Sequence, residues 1–105
     1  MRTIAERLRW ARQSASPLSQ RKLADIADIA DRLVGLIEAD TENRRNFEMR
    51  TIQGLATALG VSLDWLVNGD EPTPLPSDIK AAVARGQLRL ESRKKKAKRK
   101  PKRAA

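Results

Sequence analysis

QRKLADIADIADRLVGLIEA, residues 20–39, places apolar side chains where two short helices would have to meet across a tight turn. Leu23, Ala27, Ile29, Val34 and Ile37 form the apolar set, and Ala24 supplies the small side chain needed where the second helix closely approaches the first. The spacing predicts a helix-turn-helix, with one helix from Gln20 to about Ile26 and a second over Ala30–Ala39. Asp28 takes the turn position that wants a left-handed backbone, which Asp tolerates better than most residues. Such a pattern predicts DNA binding. The run ADIADIAD, Ala24–Asp31, contains neither Gly nor Pro, so local chemistry also permits one continuous helix from Gln20 to Ala39. That form would expose Ile26, Ile29, Leu33 and Leu36 as a surface for self-association or a protein partner.

Upstream, Ile4, Leu8, Ala11 and Ala15 recur at helical spacing, with Glu6, Arg7, Arg9 and Arg12 expected on the surface. Pro17 interrupts this first helix, and Ser19 can accept from the amides that open the next one. Downstream, TIQGLATALGVSLDWLVNG (residues 51–69) carries an apolar stripe of Ile52, Leu55, Ala56 and Leu59 that Gly60 stops. Ser62 can cap a short following helix buried through Leu63, Trp65 and Leu66, and Gly69 ends it.

LATALGVSLDWLVNG beside LSQRKLA (residues 55–69 and 18–24) resembles the lambda-repressor-like, or XRE, family of five-helix DNA-binding domains, which includes the Cro proteins and repressors of lambdoid phages. The resemblance covers Ile4–Gly69, about two-thirds of the chain. It implies an all-α fold, transcriptional regulation and repression of phage or mobile-element genes. It also implies that Gln20, with Arg21 beside it, opens helix two against the DNA backbone, and that Arg12 and Glu38 bridge the first helix to the end of the recognition helix. Asn43, Arg44, Arg45 and Asn46 fall in the loop where the family places amides and basic side chains on phosphates.

The recognition helix departs from the family pattern. Reading base edges needs donors and acceptors, yet the positions expected to face DNA are Ala30, Asp31, Arg32, Leu33 and Leu36. Arg32 can pair with guanine, Ala30 or Leu33 can meet a thymine methyl, and Asp31 can accept from cytosine or, more blandly, cap its own helix. Specificity is therefore expected to lean on DNA shape and paired half-sites.

Composition narrows the chemistry. With no cysteine and no histidine among 105 residues, disulfides, thiolate nucleophiles, imidazole bases and the usual zinc sites are excluded, and an enzyme is the least expected class. Asp25, Asp28 and Asp31 drift by about 60 degrees per three-residue step around a helix, too far to share one metal. No catalytic residue, cofactor, metal, small-molecule substrate or membrane span is expected, and the reading places the chain in a bacterial cytoplasm or nucleoid.

Charge is unevenly placed. Residues 1–70 hold ten Lys or Arg against ten Asp or Glu, whereas residues 71–105 hold twelve against three, the whole net charge of +9. DEPTPLPSD, residues 70–78, has three prolines and reads as a linker over residues 70–76. SDIKAAVARGQLRLE, residues 77–91, is a short helix with Ile79, Ala82, Val83, Gly86 and Leu90 on one side, free to dock on the domain, pair with its copy or form on binding. Residues 92–105 are expected to be a disordered basic arm whose Arg93, Lys94, Lys95, Lys96, Lys98, Arg99, Lys100, Lys102 and Arg103 neutralise phosphates without sequence choice. The resulting expectation is a homodimeric or higher-order regulator of double-stranded DNA. Its rivals are a nonspecific architectural or transposition-associated protein and an antitoxin that meets its toxin through Leu33, Leu36 or the helix after Ser77.

Overall fold

Helix starts at Thr3, Ser19 and Ser62 and helix ends at Asp28, Gly60 and Gly69 are set by caps written in the sequence. The computed structural model describes Met1 and residues 3–99, with side chains described as far as Lys94, and these residues form six helices and no strand. Helix α1, Ile4–Ser14, opens with a capping box: Thr3 Oγ1 accepts from the Glu6 amide and Glu6 returns a carboxylate to the Thr3 amide, both at 3.2 Å. Helices α2, Gln20–Ala27, and α5, Leu63–Asn68, start on Ser19 and Ser62, whose hydroxyls accept from Lys22 and Trp65 amides at 3.0 Å. Helix α3 spans Asp31–Ala39, and α4, Met49–Leu59, ends on Gly60 at φ 69°. The sequence-derived caps at Ser19, Ser62, Gly60 and Gly69 are all present.

The first five helices close around Leu8, Ala11, Leu23, Ala24, Val34, Ile37, Leu55, Leu59 and Leu66. Trp65 is buried there as expected, its ring 5.8 Å from that of Trp10 in a tilted pair. Arg7 corrects the sequence reading, which left it on the surface. It is 4% exposed, and its guanidinium donates to the carbonyls of Leu66 at 2.8 Å, Val67 at 2.7 Å and Met1 at 3.1 Å. It thus satisfies carbonyls at the end of α5 that lack helical partners. Burial pulls its pKa below the ordinary arginine value, while Glu6 and Asp70 oppose that shift.

Helix α6 spans Pro76–Arg99. Of the three arrangements open to it, docking is the one adopted: it packs on α4, α1 and α2 and buries Ile79, Ala82, Val83 and Leu90. Two glycines let it approach closely. A Cβ on Gly60 would stand 2.5 Å from the Ala82 Cβ, and one on Gly86 would stand 2.6 Å from Ile26 Cγ2. The helix also extends past both expected ends. Pro76 fits the first helical position because the missing amide would have no partner there. Beyond Glu91 the helix is already nucleated, and Lys, Arg and Ala propagate it well. The basic segment from residue 92, expected to be disordered, is therefore helical to Arg99; Lys100, Lys102 and Arg103 lie outside the described residues.

Candidate nucleic-acid interface

The turn between α2 and α3 is broken by a single residue. Asp28 sits at φ 61°, ψ 48°, its amide donating back to the carbonyls of Ala24 and Asp25, and the Ile29 amide donates to Ala24 at 3.0 Å. This left-handed residue ends α2 without glycine, so the continuous helix from Gln20 to Ala39 does not form. Ile26 and Ile29 pack against the core instead of making an exposed stripe.

Three elements are tied together beneath α3 by Glu38, which is 2% exposed. Arg12 binds it in a two-pronged contact, Nε to Oε2 at 2.7 Å and Nη2 to Oε1 at 3.0 Å, and Gln20 Nε2 donates to Oε1 at 3.0 Å. Arg12 also donates to the Leu18 carbonyl at 2.8 Å, and the carboxylate raises its pKa. Arg12 is consequently half-buried instead of lying on the surface. Gln20, assigned to the DNA backbone by family resemblance, here spends its amide on Glu38 and fixes α2 against α3.

The first turn of α3 faces solvent. Ala30, Asp31 and Arg32 are exposed, whereas Leu33 and Leu36 are half-buried. Asp31 does not cap the helix: Ala30 occupies the extended position before it, and no side chain caps that end. Asp31 instead stands 3.4 Å from Arg21 Nε on the neighbouring helix, an exposed pair of at most ~1 kcal/mol that partly cancels both charges. Leu33 and Ala30 border a shallow groove shared with Glu48, Arg50, Thr51 and Gly54 of the α4 start.

Loop residues 40–48 are shaped by Asp40, whose carboxylate accepts from the amides of Arg44 at 2.8 Å and Arg45 at 3.0 Å. Those amides are thereby committed within the loop, and the Arg44 and Arg45 side chains are left exposed on it. Arg44 pairs with Glu42 at 2.7 Å, Arg45 lies over the Phe47 ring at 5.5 Å, and Asn43 takes a left-handed φ of 54°. The two amides hold the Asp40 carboxyl below its ordinary pKa. A lowered folded-state pKa stabilises the loop above the ordinary carboxylate value, and that contribution is lost as pH falls through the folded value. Acidification through this lowered value, below the range where ordinary carboxylates protonate, is therefore expected to release the Arg45 and Arg44 amides, read as faster hydrogen exchange relative to the helices. An Asp40→Ala variant, which has no acceptor for either amide, should show the released state already at neutral pH.

Arg93 and Lys94 of the basic segment are exposed on α6; the side chains of Lys95, Lys96, Lys98 and Arg99 lie outside those described. Sequence reasoning missed Arg50, Arg85 and Arg89, which the packing of α4 against α6 brings to one groove. Their helical positions were visible in the sequence, but the docking that brings them together was not. Among the described residues no His, Cys, Asp or Glu group could hold a metal ion, and no helix is long and apolar enough to cross a membrane.

Residues 8–66 match the helix-turn-helix family model HTH_3, which covers α1 from Leu8, the whole of α2 to α4, and α5 as far as Leu66. No curated protein and no solved structure matches the chain.

Proposed function

Because the chain belongs to the lambda-repressor-like helix-turn-helix family, a DNA-binding class of transcription regulators, we propose that it represses phage or mobile-element genes as a homodimer or higher oligomer. The observation that carries DNA reading is the solvent-facing first turn of α3, held by a buried Glu38 network that fixes its angle to α2. Arg32 is the base-reading residue of this reading, with Ala30 as an apolar contact and Arg21, Arg44 and Arg45 as phosphate contacts. The basic end of α6 adds affinity that is indifferent to sequence. Half-burial of Leu33 and Leu36 weighs against a toxin docking there.

Selection of bound sites from a random duplex pool at near-physiological salt tests it. An enriched palindromic or repeated motif is expected from the wild type and a loosened motif from Arg32→Ala. Binding without enrichment would favour the architectural reading. Asp31→Asn provides a second check, since it removes a carboxylate from beside phosphates and frees Arg21. Its affinity for any duplex is expected to rise by roughly threefold to fivefold, an effect diminishing as salt is added.

A further inference from the structure

Helices α4 and α6 diverge over the end of α2 and leave a groove of about 400 Å³. Arg50, Arg85 and Arg89 line it together with Gln53 and Thr57, and no carboxylate does. Among the described residues none of the three arginines is in an ion pair. Three arginines without a carboxylate partner on one concave surface concentrate positive potential there. A phosphodiester supplies the missing anion, and guanidinium geometry suits its oxygens.

The location gives the ligand its context. Arg50 and Gly54 border both this groove and the smaller one that reaches Ala30 and Leu33 at the start of α3. A row of cations therefore starts at Arg50, which borders both grooves, and continues along α6 through Arg85, Arg89 and Arg93, placed four residues apart. Successive members rise about 6 Å along the helix with a drift of about 40 degrees. Helix α6 has 24 residues and so a length of about 36 Å, close to one turn of duplex. Asp28 and Glu48 line the smaller groove and neither lines the larger, so the carboxylate-free stretch is the α4–α6 side.

We propose that the α4–α6 groove, through Arg50, Arg85 and Arg89, binds a backbone phosphate of the duplex flanking the site entered by α3. This rests on the DNA-binding reading above and adds to it a second, rigid phosphate site outside the helix-turn-helix. It makes α6 part of the interface before the terminal basic segment begins.

Titration of the full chain against a labelled duplex of about two helical turns, over a range of salt, tests the assignment. Arg85→Gln/Arg89→Gln is expected to weaken binding roughly tenfold on matched and scrambled duplexes alike and to reduce the salt slope by about 1. Lys80→Gln, also on α6 but away from the groove, should change the slope far less. Thermal melting of each variant verifies the fold, since all three side chains are exposed. An effect of Lys80→Gln equal, per charge removed, to that of the double variant, or an unchanged slope in the double variant, would overturn the groove site. If the wild type fails to bind duplex even at low salt, the DNA-binding reading itself falls; if Arg32→Ala or Asp31→Asn alters binding while the groove variants do not, only this inference falls.

Discussion

Glu38→Ala is expected to remove about 3–5 kcal/mol of stability, the usual cost of breaking a buried ion pair from one side. The carboxylate is the single acceptor on which Arg12 and Gln20 converge, and Arg9 approaches it at 3.7 Å. Its loss leaves the half-buried Arg12 guanidinium without a counter-charge and the Gln20 amide without its acceptor. A domain of this size has about 5–15 kcal/mol in all, so the melting temperature should drop by roughly 15–30 °C. The pair need not be a net source of stability: desolvating two charges offsets much of their attraction. Replacing both partners, as Arg12→Met/Glu38→Leu, is accordingly expected to recover much of the loss. What the apolar pair cannot restore is the hydrogen bond from Gln20 that registers α2 against α3, so DNA affinity should remain reduced in a double variant that melts normally. A Glu38→Ala loss below about 1 kcal/mol would mean that Arg12 regains water freely and that the network is superficial.

The elements most legible in the sequence were those set by local chemistry. Ser19, Ser62, Gly60 and Gly69 mark helix ends because an amide or carbonyl without a helical partner must be met nearby, and Asp28 broke the helix through its own backbone preference. Arg12 with Glu38 followed from family resemblance, and their geometry agrees with it. Arg7 was not legible, because nothing local distinguishes an arginine that snorkels to solvent from one that reaches carbonyls 59 and 60 residues away. The candidate site divides in the same manner. Ala30 and Arg32 are exposed at the start of α3 as the family pattern implied, but Asp31 was misread as a cap: the helix begins at Asp31 itself, one residue before a cap there would allow, and Ala30 takes the cap position. Gln20 illustrates a limit of transfer by position: its place matches the family's backbone-contacting glutamine while its amide is engaged by Glu38. The groove arginines were invisible for a third reason. Their grouping depends on a tertiary choice, docking of α6, that its thin apolar stripe left open.

A chain ending at Gly69 tests that choice and should lose most of its cooperativity. Ile79, Val83 and Leu90 are 0%, 5% and 8% exposed, and full burial of such side chains contributes about 1.5–3 kcal/mol each before the entropy of ordering α6 is subtracted. Removing α6 also uncovers the surface it covers, including Ile26 where Gly86 meets it and the end of α4 at Gly60. The expected result is a melting temperature lowered by at least ~15 °C, with a shallower transition. A chain ending at Ser92 retains Leu90 and all the buried contacts of α6 while losing the nine cations between Arg93 and Arg103. It should melt within a few degrees of the full chain, bind DNA with a salt slope smaller by several units, and keep the part of that slope due to Arg50, Arg85 and Arg89. The two truncations thus separate what α6 does for the fold from what its basic end does for DNA. Loss of binding in the shorter chain alone would report unfolding and say nothing about phosphates. Should the chain ending at Gly69 instead melt like the whole, α6 would not be a wall of the domain, and the arginine groove built against it would have no fixed shape.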